Sequence, residues 1–557
     1  MIHRGDFFGG VTAAVVALPL ALAFGVASGA GAAAGLYGAI AVGFFAALFG
    51  GTPSQVSGPT GPMTVVMAAV ITNAVAMNPE QGLTIAFTTV SLAGLLQIAA
   101  GKLRLGRYMV MVPFPVVSGF MSGIGVIIIL LQVAPLFGVE GQSNPLRALL
   151  MLPKVMHSMQ WDSAVLGLGT LVLLFVWPKR FQLLPAPLMA LIAFACLSLG
   201  GPFDQVDRIG EIPRGLPDLV MPHVSIDLLP MIVGSAFLLA ALGAIDSLLT
   251  SLVADNLTRT QHDSDKELVG QGIGNFVAGL IGGLPGAGAT MRTLVNVRLG
   301  GRSSVSGMLH SMVLAVLMLG AAPLAEAIPL AVLAGILLKT GFDIIDWGFL
   351  KRVASIPLFS SALMLVVFSV TVFVDLITAV AIGVFVANLE TLYRLSEAHL
   401  QKMKVGLSRE EIPDLTDHEV AALDALQGRV LVYQLNGFMS YGLSRGITQH
   451  FSQFSDHDIL IVDFTDVDHL DLSAGLTLME MIEDATRMDR SVFLVGVQAR
   501  IEREMKAAGI YASVPQTDRF DTRPQAITEA ATRLHEKLSI PQDFGSAVED
   551  IPRIALE

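Results

Sequence analysis

Long apolar stretches follow one another along the first 390 residues of the chain, separated by short polar turns. Most are close to the roughly 20 residues that a helix needs to cross the hydrocarbon core of a bilayer. The pattern predicts an α-helical membrane domain of about fourteen segments. These lie at 7–27, 32–50, 60–77, 83–101, 107–137, 163–177, 183–200, 228–250, 266–284, 290–299, 303–324, 328–341, 356–374 and 376–390.

The hydrophobic period changes towards the end of the chain. Three strand candidates, at 429–435, 459–464 and 491–497, alternate with amphipathic helix candidates near 440–453, 474–488 and 500–508. Strands that alternate with helices predict a small α/β domain with one sheet. We therefore divide the chain into a transmembrane domain (1–392), a linker (393–427), a soluble α/β domain (428–540) and a tail (541–557).

Composition and charge agree with a membrane part followed by a soluble part. Hydrophobic residues make up 53% of the chain and charged residues 14%, and the net charge is −12. Residues 391–557 hold 27 of the 46 acids but only 16 of the 34 bases. This acidic balance argues against a nucleic-acid partner. The single cysteine, Cys196, excludes an intramolecular disulfide and a multi-thiolate metal site.

The charges between the apolar segments predict an orientation in the membrane. If the segments alternate in direction, the basic loops fall on one side and the acid-rich loop 204–218 falls on the other. Basic loops face the cytoplasm. We therefore expect a multi-pass protein of the cell inner (plasma) membrane, with both termini and the α/β domain in the cytoplasm. The basic positions are Lys102, Arg104, Arg107, Lys179, Arg180, Arg298, Arg302, Lys351 and Arg352.

Two apolar segments begin with glycine- and proline-rich interruptions, at 57–64 (SGPTGPMT) and 285–293 (PGAGATMRT). They precede the third and the tenth of the fourteen segments, which are equivalent positions in a 7+7 inverted repeat. A helix that begins inside a membrane presents unpaired N–H groups and a positive dipole end. Broken helices at matching places in two halves indicate a transporter's binding site. We expect the two helix starts to face each other and to bind a small anion.

Asp246 lies inside a long apolar run, where an ionised carboxylate needs a partner or water. Thr250 is four residues later and shares its helix face, whereas Ser247 points elsewhere. A carboxylate, a hydroxyl and the carbonyls of an unwound segment would suit Na⁺, and the carboxylate alone could carry H⁺. Asp246 could instead pair with Arg292 without binding a transported ion. Arg292 itself is either an anion ligand or a charge that reaches water or neutralises Asp246.

Two other charged positions have simpler interpretations. Asp375 lies where two short helices must turn, so we expect it to cap a helix. The polar stretch 255–267 is predicted to be a solvated, hydrogen-bonded connector.

Three motifs resemble the sulfate permease (SulP) family of anion transporters with a C-terminal STAS domain. They are SGPTGPMT at 57–64, the segment from Thr258 to Asn275, and the sequence Asp471-Leu472-Ser473-Ala474-Gly475, which loosely resembles the STAS Asp-Ser-Ser-Gly loop. Within the family the chain most resembles sodium-dependent bicarbonate transporters, although Arg292 is more typical of the family at large.

The resemblance implies an elevator-type carrier, in which a core domain that holds the site moves against a gate domain that also forms a homodimer. It implies that bicarbonate binds at Thr60, Ala289 and Thr290, and we add Gly61 and Arg292 as neighbouring candidates. It also implies that Na⁺ binds at Asp246, Thr250, Gly288, Ala289 and Thr290.

Three functions follow from this reading. The first is Na⁺-coupled bicarbonate uptake, with no organic cofactor. The second is H⁺-coupled transport of sulfate or a dicarboxylate by the same fold, with Asp246 as the protonated group. The third, of another class, is a membrane-anchored STAS protein that signals to a cytoplasmic partner. The sequence contains no constellation typical of an enzyme.

Overall fold

The structure, a computed structural model, describes most of the chain as two compact units, Met1–Ala387 and Asn388–Glu557. The described residues are 4–142, 144–178, 185–203, 206–210, 217–222, 226–400, 404–406, 411–412, 414–440 and 457–538.

The first unit is helical, and each of the fourteen predicted apolar segments contains one helix. The helices are α1 (Arg4–Ala27), α2 (Ala32–Phe49), α3 (Gly61–Met77), α4 (Gly82–Lys102), α5 (Phe114–Leu136), α6 (Pro145–His157), α7 (Trp161–Val176), α8 (Ala186–Gly200), α9 (Leu229–Thr258), α10 (Ser264–Leu280), α11 (Thr290–Arg298), α12 (Ser304–Glu326), α13 (Leu330–Ile344), α14 (Trp347–Arg352), α15 (Leu358–Phe373) and α16 (Leu376–Leu400). By length and composition, six helices of the described part could cross a membrane alone, or seven if the bent pair α6–α7 is one span.

Two helices of this unit, α6 and α14, were not predicted. The Asn144 side chain accepts hydrogen bonds from two backbone N–H groups at the start of α6. The Asp346 side chain accepts one from the N–H of Phe349 at the start of α14. Both helices are short, so neither gives the long apolar signal of a membrane span. Asp375 accepts a hydrogen bond from the N–H of Thr378 at 2.8 Å, which confirms the predicted helix cap.

Small residues allow α10 to pack closely against α4. A Cβ atom added at Gly94 of α4 would lie 2.3 Å from the backbone nitrogen of Phe276, so only glycine fits there. Close approach of backbones through small residues is how helices associate in lipid, where the hydrophobic effect does not drive them together. The contact holds α10 in place beside the broken segments.

The two interruptions form a small antiparallel sheet of β1 (Ser57–Gly58) and β2 (Ala287–Gly288). Ser57 pairs with Gly288 and Gly58 with Ala287. Proline at positions 59 and 285 favours extended backbone at the preceding residue, which keeps both segments out of the flanking helices. The sheet therefore brings together two segments that are distant in the chain.

The second unit contains a five-stranded sheet in the order β3–β4–β5–β6–β7, parallel except for β3 at one edge. Its strands are β3 (Lys404–Gly406), β4 (Val430–Met439), β5 (Ile459–Leu470), β6 (Ser491–Val495) and β7 (Arg519–Phe520), and its helices are α17 (Asp417–Ala425), α18 (Leu472–Arg487), α19 (Ala499–Ala507), α20 (Ile510–Ser513) and α21 (Arg523–Leu538). The three predicted strands correspond to β4, β5 and β6. The helix predicted near 440–453 falls outside the described residues, and β3 and α17 form inside the range that was assigned to the linker.

A buried ion cluster joins α17, α21 and the sheet. Arg523 lies 2.7 Å from Glu419 and 3.3 Å from Asp463. Burial alone would raise the pKa of the Glu419 carboxyl, but hydrogen bonds from Arg523 and Thr416 outweigh that effect and hold this pKa below its usual value. The charged form of Glu419 therefore stabilises this unit.

Candidate functional site

Pairing of β1 with β2 brings the first turns of α3 and α11 together. Thr60 is the N-cap residue of α3 and Ala289 is that of α11, and neither helix has a side-chain capping hydrogen bond. The Thr60 hydroxyl instead lies buried and faces the Asp246 carboxylate. Two helix starts with uncapped N–H groups concentrate positive potential in one place, which favours an anion.

The strands cross with very little space between them. A Cβ atom added at Gly286 would lie 2.5 Å from the carbonyl carbon of Gly58, which is closer than real Cβ contacts. Glycine at this crossing is therefore a condition for the two helix starts to meet.

Helix α9 runs beside β2 and touches it through two hydroxyl groups. Thr250 Oγ1 donates to the carbonyl oxygen of Gly288 at 3.0 Å and lies 2.8 Å from Thr290 Oγ1. The N–H of Gly288 donates to Ser247 Oγ at 3.0 Å. The expectation that Ser247 points elsewhere is therefore wrong, because β2 passes close enough for both residues to reach it.

Asp246 faces the same place and has an unused oxygen. Its side chain is 7% exposed, and Oδ2 is buried without a hydrogen-bond partner in the described part of the chain. Its electrostatic neighbours are the Thr60 hydroxyl and the Arg292 guanidinium. In transporters with broken helices, unwound backbone carbonyls coordinate Na⁺, and here a carboxylate and hydroxyl oxygens lie near such a carbonyl.

Arg292 links the two broken segments. The side chain is 3% exposed, and Nη2 donates to the carbonyl oxygen of Pro59 at 2.6 Å. Of the interpretations left open for this residue, reaching out to water does not fit such burial. The guanidinium carries five donors, so donors remain after this bond is made. A Cβ atom at Gly58 would lie 2.7 Å from Nη1, so glycine there leaves room for the guanidinium.

The structure thus gathers all of the predicted site residues around the strand crossing. They are Thr60, Gly61, Asp246, Thr250, Gly288, Ala289, Thr290 and Arg292. Within the described residues no cluster of three His, Cys, Asp or Glu side chains could hold a metal ion. The oxygen set around Asp246 is of a different kind, with one carboxylate and neutral oxygens.

Sequence reasoning missed a buried carboxylate behind the crossing. Glu267 was assigned to a solvated connector, yet it is 1% exposed and lies in α10. Its Oε2 accepts from the N–H groups of Gly51 and Thr52 at 2.9 Å each, and its Oε1 accepts from the amides of Gln55 and Gln271 at 2.8 Å each. The prediction for this position is wrong because four donors compensate the cost of burying the charge.

Two further polar residues of α10 hold the strands themselves. Gln271 donates to Ser57 Oγ at 2.6 Å. Asn275 accepts from the N–H of Gly286 at 2.7 Å and donates to its carbonyl oxygen at 2.9 Å. Glu267, Gln271 and Asn275 recur every four residues, which puts them on one helix face. That polar stripe was a signal that could have revealed them.

Sequence comparison gives the family. Residues 4–367 match the sulfate permease family and residues 424–526 match the STAS domain. The chain belongs to the sulfate permease family.

Curated relatives that are named as transporters align with nearly the whole chain. The chain is 47% identical to the bicarbonate transporter BicA of Synechocystis sp. over 97% of this chain and 96% of that protein. It is 30% identical to the putative sulfate transporter YvdB of Bacillus subtilis over 93% and 96%. Since these relatives are transporters, the chain is a membrane anion transporter and not an enzyme.

Solved structures support the fold. The transmembrane domain of a cyanobacterial BicA matches with a TM-score of 0.64 and 53% identity, over 68% of this chain and 98% of that one. SLC26A9 matches with a TM-score of 0.79 over 98% and 92%, and at 19% identity it supports the fold alone. The chain therefore has the helical transporter fold of this family, followed by a STAS domain.

Proposed function

We propose that the protein carries bicarbonate into the cell together with Na⁺, by an elevator-type movement. The observation that carries this proposal is the buried Asp246 Oδ2, which has no hydrogen-bond partner among the described residues, close to the Thr60 hydroxyl and one helix turn from Thr250. Binding Na⁺ there compensates the buried carboxylate. The relatives named bicarbonate transporters support bicarbonate as the anion.

The energetics explain why a cation is needed. An inside-negative potential opposes entry of an anion by about 2.3 kcal/mol per charge per 100 mV. A Na⁺ ion that enters with one bicarbonate removes this opposition and adds the sodium gradient as a driving force. Asp246 and Arg292 compensate each other when the site is empty, and Na⁺ frees the guanidinium to face the anion.

The remaining parts of the proposal concern the moving unit and its setting. The strand crossing, α3, α9, α10 and α11 would move together as the core, because hydrogen bonds join them. We place the STAS domain and both termini in the cytoplasm and the protein in the inner membrane as a homodimer. A cytoplasmic partner of the STAS domain is part of this proposal.

The deciding experiment measures uptake of labelled bicarbonate, sulfate and succinate into proteoliposomes, each with and without a Na⁺ gradient. We expect bicarbonate uptake that requires Na⁺. Asp246→Asn should abolish it, because the amide cannot offset the cation's charge. Sodium-dependent uptake that survives in Asp246→Asn would contradict the assignment.

The matched control is Asp375→Asn. Asp375 is likewise an acid with apolar sequence on both sides, but its carboxylate caps α16, and asparagine caps a helix equally well. Uptake by Asp375→Asn should stay within about twofold of the unaltered protein.

A second candidate is H⁺-coupled transport of sulfate or a dicarboxylate. Arg292 favours it, because a buried guanidinium suits a second negative charge, and the putative sulfate transporter YvdB is a relative. Asp246 would then carry the proton. Uptake of sulfate or succinate driven by a pH gradient, and indifferent to Na⁺, would favour this candidate.

A further inference from the structure

A cavity of about 420 Å³ lies between α1 and α3 on one side and α5 and α13 on the other. Ala27 and Ala68 line the first side, and Gln132 and Leu337 line the second. Its ionisable lining residues within the described part of the chain are both acids, Glu140 and Asp207. In the proposed orientation the cavity opens to the outside of the cell.

A second cavity, of about 20 Å³, continues the first towards the start of α3. Gly61 and Thr64 line it at the site end, and Ile128 lines it from α5. It has room for about one water molecule. Both cavities share a set of lining residues, which are Ala27, Ala68, Leu131, Gln132 and Leu337. The two cavities therefore form one route that narrows next to the N-terminus of α3.

Gln132 is the polar side chain of this narrow part with unused hydrogen-bonding capacity. It is 8% exposed and makes no hydrogen bond with the described residues. The other polar side chain of the narrow part, Thr64, already donates its hydroxyl to the carbonyl oxygen of Thr60 at 2.8 Å. The Gln132 amide opens into the cavities with no protein partner among the described residues, so its donor and its acceptor are both free to pair with a ligand there.

We propose that Gln132 binds the anion at the entrance to the site and selects an anion that carries a hydroxyl group. This proposal rests on the proposed bicarbonate transport. A carboxamide both donates and accepts hydrogen bonds. Bicarbonate offers oxygen acceptors and one O–H donor, so it pairs with both ends of the amide. Sulfate has no donor at neutral pH and leaves the Gln132 carbonyl oxygen unpaired in apolar surroundings. Sites built to bond a hydroxyl reject analogues that lack it.

The negative charge of the wider cavity also favours bicarbonate over sulfate. Glu140 and Asp207 repel a divalent anion about twice as strongly as a monovalent one. The route therefore favours a monovalent, hydroxyl-bearing anion at both its wide and its narrow part.

Uptake kinetics of Gln132→Leu test the proposal, with Thr72→Val as the matched control. Thr72 lines the wide cavity, but its hydroxyl already donates to Ala68 O at 2.8 Å, so its loss leaves the route unchanged. We expect Gln132→Leu to raise the KM for bicarbonate about tenfold and to reduce the preference for bicarbonate over sulfate. The Na⁺ concentration for half-maximal uptake should stay within about twofold. Thr72→Val should leave all three quantities within about twofold.

Thiol labelling provides a second measurement that does not depend on activity. Cys196 is the single cysteine, so Gln132→Cys combined with Cys196→Ser gives one thiol on the route. A membrane-impermeant sulfonate thiol reagent applied from outside should label it, and bicarbonate should slow the labelling more than sulfate does. Equal labelling rates with and without bicarbonate would overturn the proposal.

The outcomes separate this proposal from the proposed function. If Gln132→Leu and Thr72→Val have the same KM for bicarbonate, the role of Gln132 is wrong while Na⁺-coupled bicarbonate transport stands. If the unaltered protein carries sulfate but no bicarbonate, the proposed function is wrong and the selectivity assigned to Gln132 is wrong with it.

Discussion

The substitution Gly286→Ala tests whether the strand crossing creates the site. The new methyl carbon would lie 2.5 Å from the carbonyl carbon of Gly58 and 2.6 Å from its oxygen. Ordinary contact begins near 3.4 Å, so β1 and β2 must separate by about 0.9 Å. Both neighbours are backbone atoms, which have no side-chain rotamer to relieve the overlap.

The expected magnitude follows from this displacement. Overpacking a tightly packed interior costs about 1–3 kcal/mol. A shift of about 1 Å at groups that must align can lower a rate about 100-fold. We expect Gly286→Ala to reduce bicarbonate uptake to less than a tenth and to lower the thermal unfolding temperature by several degrees.

The assay compares uptake per reconstituted protein and thermal unfolding in detergent with those of Gly320→Ala. Gly320 lies in α12, and a Cβ atom there would meet no atom within 4 Å. Alanine is also the better helix former. Gly320→Ala should therefore match the unaltered protein in both measurements. Normal uptake by Gly286→Ala at a normal unfolding temperature would refute the argument that close contact at the crossing holds the site together.

Three other substitutions probe separate parts of the protein. Glu267→Gln replaces one of the two carboxylate oxygens that accept from four N–H donors, so it should lower the free energy of unfolding by about 2 kcal/mol. Thermal unfolding in detergent measures this loss, and an unchanged unfolding temperature would contradict it. Thr250→Val should raise the Na⁺ concentration for half-maximal bicarbonate uptake about tenfold, whereas an unchanged value would remove Thr250 from the cation site. The folded-state pKa of Glu419 lies below its unfolded value of about 4.3, so its stabilising effect is present above that pH and disappears as the pH falls through the folded pKa. Glu419→Gln should therefore speed hydrogen exchange in α17 and α21 of the full chain at pH 7, and the difference from the unaltered protein should shrink as the pH falls through the folded pKa of Glu419. Equal exchange at pH 7 would contradict the role of the ion cluster.

The sequence predicted the helical segments well because length and hydropathy are strong signals for spans in lipid. The 3-10 turn at Gly106–Met111 and the start of α5 at Phe114 share one predicted run, which its prolines at 113 and 115 divide. The amphipathic helix α6 was not predicted, because polar residues alternate with its apolar ones and the segment contains no long hydrophobic run.

The sequence candidates for the site lie together at the strand crossing, but the contacts that join them could not be predicted. Proline and glycine marked both interruptions, and Asp246 was conspicuous as an acid in an apolar run. The strand register, the reach of Ser247 to Gly288 and the burial of Glu267 depend on tertiary contacts that local patterns do not encode. Glu267 looked like a loop residue because charged neighbours precede it, whereas the four donors that justify its burial come from other parts of the chain.

The antiparallel pair has a consequence for how the protein is made. Ser57 and Gly288 are partners although 231 positions separate them. At the usual ribosomal rate, about 10 to 50 s pass between synthesis of one partner and synthesis of the other. During this interval the backbone of the first strand has no partner in an environment that supplies few hydrogen bonds. Nascent chains that stall before the second strand emerges should therefore be recognised by the quality-control proteases of the membrane.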